Sequence, residues 1–456
     1  MTDNKLLKTL NSKDIAIAGI AVVVAASSMV TDFTGFVELG LGFALSLLIG
    51  FLIHLALGYS LSNLASKYPK AGTLFNYSKE IIKGKKGTYM GLFLGLTFYM
   101  GVSFGISAEA NAGAFALKKL VGLEIPDMCY VLFLFLLGVI PNIFNVRTSA
   151  KVAGAILIVM LAIRWYFGLK GFFSGQWDVH NLADTPILLW GDNGILTKGL
   201  ALGIWTFVGI EFCASFAEEV KNPKTMIFKG ILMALLVILS TSLIMGMGVI
   251  GTLPKTDWLA IVQSDLGCAG DCPQLAVGYQ MMGNTGLWVM ALGSVLATIS
   301  SLIVVFSAMP RLLFGIIRDG NFHGKLPIFI KRINPRSHTP INAILISLAL
   351  YVIPSMYSQH VGEWVIAAAY IGLMMYGCYH FYFGLSLYRH KGKILPLILG
   401  IIGVLLSGLT IFIVFYGAHS NYGLKTLWVL GASLLITLVL SHKRSSEKIR
   451  AKLHKS

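Results

Sequence analysis

Apolar residues run in long stretches along this chain, separated by short polar segments, and that alternation predicts its elements before any motif does. A helix that crosses a bilayer needs about 20 predominantly apolar residues. Twelve stretches qualify, near Ile15–Phe36, Leu39–Ala65, Tyr89–Leu117, Met128–Val146, Ala150–Phe173, Leu200–Ala217, Met226–Leu253, Thr285–Ile317, Ile341–Met356, Val361–Tyr388, Ile394–Ala418 and Leu424–Leu440. The first is too long for the core of a cleaved signal peptide, and further apolar segments follow at once. The pattern predicts an all-α integral membrane protein with twelve transmembrane helices.

Composition narrows the class. Of 456 residues, 56% are hydrophobic and 12% charged, where a soluble protein carries roughly 25% charged residues. A water-soluble enzyme, a disordered chain and a nucleic-acid binder are excluded. The net charge of +16 resides in the short segments between spans. Of the 36 Lys and Arg, 29 fall in the N-terminus, the loops after the even-numbered stretches and the C-terminal tail. The opposite side holds Lys118, Lys119, Lys170, Lys198, Lys255 and Lys425, and Arg164 lies within a span. Cytoplasmic loops carry the Lys/Arg excess, so both termini are expected in the cytoplasm of a plasma (inner) membrane protein. The basic tail from His442 to Lys455 is expected to meet anionic lipid rather than nucleic acid.

Two spans carry polar interruptions. In the first, about 13 apolar residues, roughly 20 Å of helix, lead from Asp14 to the run Ser27-Ser28-Met29-Val30-Thr31-Asp32-Phe33-Thr34-Gly35. In the sixth, Gly203-Ile204-Trp205-Thr206-Phe207-Val208-Gly209-Ile210-Glu211 sets two glycines around aromatics and ends in an intramembrane carboxyl. Irregular backbone at mid-membrane offers bare amides and carbonyls to a solute. Counting five helices from each interruption gives two halves that enter the membrane from opposite sides. The chain then divides into a cytoplasmic tail (1–13), a first repeat (14–173), a second repeat (197–389), two additional helices (390–441) and a basic tail (442–456).

Three motifs give a resemblance. Ser62-Asn63-Leu64-Ala65-Ser66-Lys67-Tyr68-Pro69-Lys70-Ala71-Gly72-Thr73, with Tyr77 and Glu80, resembles the loop after helix 2 of the amino acid–polyamine–organocation (APC) transporters. The run from Gly209 through Glu211 to Ala217-Glu218-Glu219-Val220-Lys221-Asn222-Pro223-Lys224 is similar to that family's helix-6 signature, and Pro310-Arg311-Leu312-Leu313-Phe314 to Arg318-Asp319-Gly320 is similar to the end of helix 8. The resemblance covers roughly residues 14–440. It implies a LeuT-type five-plus-five inverted repeat and carriage of amino acids or related amines, by exchange or coupled to protons, between the breaks in helices 1 and 6. It also implies a gate at Trp205 and a pH-responsive glutamate at Glu211. The family's Gly-Ser-Gly at the helix-1 break is absent. Ser27-Ser28-Met29-Val30 stands there, and its Ser-Met-Val run is similar to the glutamate/GABA-exchanger branch. Some proton-coupled relatives carry a helix-5 lysine near the position of Met160, with Arg164 one turn further outward here.

On these grounds the substrate-binding candidates are Ser27, Ser28, Met29, Asp32, Trp205, Phe207 and Gly209. Glu211 is the coupling or pH-sensing candidate, since a carboxylate in mid-membrane costs several kcal/mol unless paired or protonated. Its alternative is a structural bond to a neighbouring helix. Trp205 is either a gate stacking on an amine or ordinary packing. Asp32 either attracts a cationic amine or caps a half-helix, and the two serines bond the preceding turn or the solute. Glu109 and Arg164 are expected either to pair with each other or to form an outer gate. Glu218 and Glu219 with Arg311 and Arg318 are an inner ion-pair gate or solvated loop charges, and His54 and His380 read as packing residues. Cys268 and Cys272 are a disulfide candidate on the non-cytoplasmic side, with two free thiols as the alternative. No metal or cofactor is expected.

An integral-membrane enzyme would need a nucleophile–base set or a metal cluster, and neither H-E-x-x-H nor G-x-S-x-G occurs. A channel would need a filter-like repeated loop. No nucleotide-binding loop points to direct drive by ATP. The remaining alternatives are a polyamine or other organic-amine transporter, and a nutrient sensor that binds without transporting.

Overall fold

The computed structural model describes residues 6, 8–144, 146–191, 194–320, 322, 324–356, 361–417 and 427–440. Among them the regular structure is helical, apart from one isolated bridge between Leu10 and Val220. In chain order the helices are α1 (Ser12–Val23), α2 (Ala26–Leu39), α3 (Leu41–Lys67), α4 (Thr73–Ile82), α5 (Gly84–Val121), α6 (Asp127–Phe144), α7 (Val146–Phe172) and α8 (His180–Ala183). They continue as α9 (Leu200–Trp205), α10 (Pro223–Ile250), α11 (Lys255–Val262), α12 (Pro273–Asp319), α13 (Lys325–Ile330), α14 (Ile341–Ser355), α15 (Val361–Lys391), α16 (Ile394–Gly417) and α17 (Leu427–Leu440). The basic tail (442–456) lies outside the described residues.

Among the described residues seven helical segments are long and apolar enough to cross a bilayer, and eight when the bent pair α1–α2 counts as one span. Their exposed side chains are apolar in rows at helical spacing: Leu45, Leu48 and Leu52 on α3, and Phe133, Leu136 and Ile140 on α6. The same spacing recurs in Leu395, Leu399 and Ile402 on α16. A soluble monomer does not expose contiguous surface of that kind; lipid is the solvent that suits it. The protein is a multi-pass membrane protein.

The inner faces pack around α12, which lies against α5, α6 and α7, while α10 lies against α1, α3 and α7. Small residues set the closest approach. A Cβ on Gly168 of α7 would meet Ile244 O at 2.4 Å, and one on Gly248 of α10 would meet Gly168 O at 2.2 Å. Membrane helices approach this closely only through such residues. α12 bends at Met282 and Gly283, where the backbone leaves helical values, so the eighth apolar stretch is the part of α12 beyond that bend.

Among the described residues two spans are interrupted near their middle. Between α1 and α2 the backbone turns extended at Ala25 (φ −94°, ψ 177°), and the two helices meet at 62°. The interruption falls just before the polar run rather than along it. Residues 26–39 are helical, and the hydroxyls of this run are satisfied within the helix: Ser28 Oγ donates to Ala25 O at 2.8 Å and Thr31 Oγ1 to Ser28 O at 3.0 Å. In the second interruption α9 stops at Trp205, a turn follows, and Ile210–Glu219 continues as a 3-10 helix. Gly209 takes φ +114° between them, a value that L side chains rarely adopt, and an added Cβ would lie 3.1 Å from Val22 of α1. The second break therefore packs directly onto the first.

Candidate functional site

A buried cavity lies where the two breaks meet. Ser27 and Ala25 line it from the first, Trp205, Gly209 and Glu211 from the second, Glu109 from α5 and Ser301 from α12, with apolar walls from Val23, Ile106, Val305 and Ile371. It has about 50 Å³ of room for the centres of water molecules. Since about 10–15 Å³ of such room holds one water, the cavity takes several waters, or a small solute in their place.

Glu211 sits at the start of the 3-10 helix. Its Oε2 accepts the Gly209 N–H at 2.9 Å and the Tyr376 hydroxyl at 3.2 Å. Its Oε1 has no hydrogen-bond partner among the described residues. Behind it, the Tyr376 hydroxyl lies 3.1 Å from His54 Nε2, and His54 Nδ1 lies 2.7 Å from Gly50 O. The sequence gives Tyr376 no distinguishing signal, and His54 shows there only as a lone polar residue in an apolar span. Trp205 borders the cavity so closely to α5 that a Cβ on Gly105 would sit 3.1 Å from its Cη2.

Glu109 holds the start of α2. Its Oε1 accepts the Ala26 N–H at 2.9 Å and its Oε2 the Ser27 N–H at 2.8 Å, while Thr298 Oγ1 donates to Oε1 at 2.7 Å. The expected direct pair between Glu109 and Arg164 does not form. Arg164 instead donates from Nη2 to Ala25 O at 2.6 Å and to Ser28 Oγ at 2.7 Å, and its Nη1 lies 3.5 Å from Asp32 Oδ2. Ser242 Oγ completes that group by donating to Asp32 Oδ2 at 3.0 Å. The physical reason is complementarity: the amides opening α2 call for a carboxylate, and the carbonyl before them calls for a cation. Asp32 thus balances Arg164 from within α2, and Glu109 does the capping considered for Asp32.

Of the sequence-derived candidates, Ser27, Trp205, Gly209, Glu211 and Glu109 share the cavity. Ser28, Met29, Asp32 and Arg164 are buried but do not line it. Phe207 is also turned away, its ring centroid 5.4 Å from that of His54 and 6.4 Å from that of Phe51.

Outside the cavity lining, the acidic end of the second sequence motif meets the basic end of the third. Arg311 donates from Nε to Glu219 Oε2 at 2.7 Å, a fully buried pair, and Arg318 donates from Nη2 to Glu218 Oε1 at 2.6 Å. Glu218 also accepts the Ala71 N–H at 2.9 Å, and Leu10 N–H donates to Glu219 O at 3.0 Å. The N-terminal segment, the loop before α4, the 3-10 helix and the end of α12 are tied at one level. Away from this site, Cys268 and Cys272 form a disulfide with Cα atoms 5.3 Å apart.

Residues 12–440 match the model of a family described as amino acid permease. Over 364 residues the chain is 22% identical to the branched-chain amino acid permease BcaP of Bacillus subtilis, covering 74% of this chain and 72% of that protein. It is 26% identical over 328 residues to the mitochondrial cationic amino acid transporter 3 of Arabidopsis thaliana, covering 67% and 50% of the two. It is 27% identical over 300 residues to the potassium transporter KimA of Bacillus subtilis, covering 61% and 45%. The chain spans about half the length of the latter two relatives. It belongs to the amino acid permease family of the APC superfamily, whose members are transporters and not enzymes.

Proposed function

We propose that this family member is a secondary transporter of amino acids or related amines, working by alternating access about the breaks in its first and sixth spans. The observation that carries the reading is the meeting of both interruptions at one buried cavity, with Trp205 and Glu211 on one side and Ser27 and Glu109 on the other. Family membership and the names of BcaP and the plant transporter support amino acid transport. In this reading the chain has twelve spans in a LeuT-type five-plus-five inverted repeat (14–173 and 197–389) with two additional helices. Both termini lie in the cytoplasm of the plasma membrane, consistent with the Lys/Arg distribution.

Trp205 acts as a lid over the solute and Glu211 as the coupling group. Ser27 offers its hydroxyl to the solute. Exchange is favoured over proton symport by the position of Glu211 within its motif and by the Ser-Met-Val run. The Glu219–Arg311 and Glu218–Arg318 pairs form the inner gate, and they part when the cavity opens to the cytoplasm.

Counterflow in proteoliposomes tests this. Labelled amino acid or amine should accumulate in vesicles preloaded with the same unlabelled solute and not in empty ones. Ligand-dependent thermal stabilisation without any flux would assign the chain to sensing instead.

A further inference from the structure

We infer that the solute is an organic ammonium ion without a carboxylate, because the protein's own Glu109 occupies the place where a solute carboxylate would bind. The inference rests on the transport reading above and narrows its substrate class.

The N-terminus of a half-helix facing a cavity is a general anion site, with unpaired amides and the positive end of the helix dipole directed at the ligand. At α2 that site is filled. Glu109 takes the Ala26 and Ser27 amides at 2.9 and 2.8 Å, and the Thr298 hydroxyl adds a third donor at 2.7 Å. A solute carboxylate would meet a carboxylate instead of free donors, and like charges at that distance disfavour each other.

No cation faces the cavity to offset this. The cavity lining includes no Lys, Arg or His among the described residues. Arg164, the buried cation beside the break, is committed to Ala25 O, Ser28 Oγ and Asp32.

What the cavity does offer suits a cation with an apolar body. Glu211 lines it with one carboxylate oxygen lacking a partner among the described residues. Trp205 adds an aromatic ring for an ammonium group. Ser301 donates its hydrogen to Val22 O at 3.1 Å, which leaves its oxygen as an acceptor. Phe98, Ile106, Val305 and Ile371 supply the walls for an alkyl or aryl chain.

The test uses pairs that differ only by the α-carboxylate: arginine and agmatine, lysine and cadaverine, leucine and 3-methylbutylamine, phenylalanine and phenethylamine. Each is scored by thermal shift of the purified protein and by counterflow, with potassium chloride as a separate arm. At least one amine should stabilise the protein and drive counterflow with an apparent affinity tenfold or more above that of its amino acid. Glu109→Gln should shrink that ratio by admitting the amino acid, and Thr298→Val, which removes one donor to Glu109, should act in the same direction more weakly.

Equal or better binding of the amino acid within the responding pairs overturns this inference and leaves the transport reading standing. A response to potassium alone also overturns it. Silence of every probe with a folded protein counts against both. The paired comparison on the native protein decides the matter even if neither variant folds.

Discussion

Tyr376 on α15 donates its hydroxyl to Glu211 Oε2 at 3.2 Å, which ties the 3-10 half of the broken sixth span to a continuous helix. The same hydroxyl lies 3.1 Å from His54 Nε2 on α3, so one phenol stands between the carboxylate and an imidazole. A change of charge at Glu211 must therefore alter contacts on three elements at once.

Glu211→Gln keeps the size of the side chain and removes its titration. Uptake by this variant should lose most of its dependence on pH while the protein keeps its gel-filtration profile. An unchanged pH profile would take Glu211 out of the coupling role.

Arg164→Gln leaves Asp32 buried without its cation. Removing one partner of a buried pair costs about 3–5 kcal/mol, so a clear fall in melting temperature is expected. Arg164→Lys should recover only part of the loss, because one ammonium cannot reproduce the planar fork that reaches Ala25 O, Ser28 Oγ and Asp32 together. Full recovery by lysine would show that charge alone matters.

The positions of the interruptions are partly legible in the sequence. Gly209 marks the sixth-span break because only a residue without Cβ readily accepts φ +114° against Val22. The first break lies a few residues before the place its polarity suggests, since the hydroxyls at Ser28 and Thr31 satisfy themselves inside α2. What fixes the break is Glu109, 83 residues away from Ala26, and no local pattern reveals a partner at that distance. For the same reason Arg164 and Glu109 are legible as buried charges, but not which group each one meets. Phe207 shares the aromatic run of Trp205 yet points to His54, because the turn after α9 rotates neighbouring side chains apart.

In the proposed orientation, breaking the Glu218–Arg318 ion pair should bias the protein toward a state open to the cytoplasm. Arg318→Ala removes the partner of Glu218 and loosens the contact with Ala71. A cysteine introduced at Ser307, beside Arg311, should then react faster with a membrane-impermeant thiol reagent applied from the cytoplasmic side. An unaltered rate would remove the Glu218–Arg318 pair from the gate.

On the loop after α7, Asp178 accepts both the backbone N–H and the ring nitrogen hydrogen of His180, at 2.9 and 2.7 Å. The side-chain bond to Asp178 holds His180 above the usual histidine range, and the bonds from His180 hold Asp178 below the usual carboxylate range. The histidine's contribution to this turn is complete below its unfolded value and is lost as pH rises through the raised one. The aspartate's contribution is present above its unfolded value and is lost as pH falls through the lowered one. The turn should be best ordered between those limits, and NMR titration of His180 should give a midpoint above that of an unstructured peptide. A midpoint at the peptide value would contradict the bond.

The most direct test of solute binding at the two breaks is the accessibility of position 27. In a protein whose free cysteines, Cys129, Cys213 and Cys378, are replaced, a single Ser27→Cys should be labelled by an impermeant thiol reagent from either face of the membrane, and a transported solute should protect it from both. Labelling from one face only, or labelling indifferent to every solute that the protein transports, would contradict alternating access at this site.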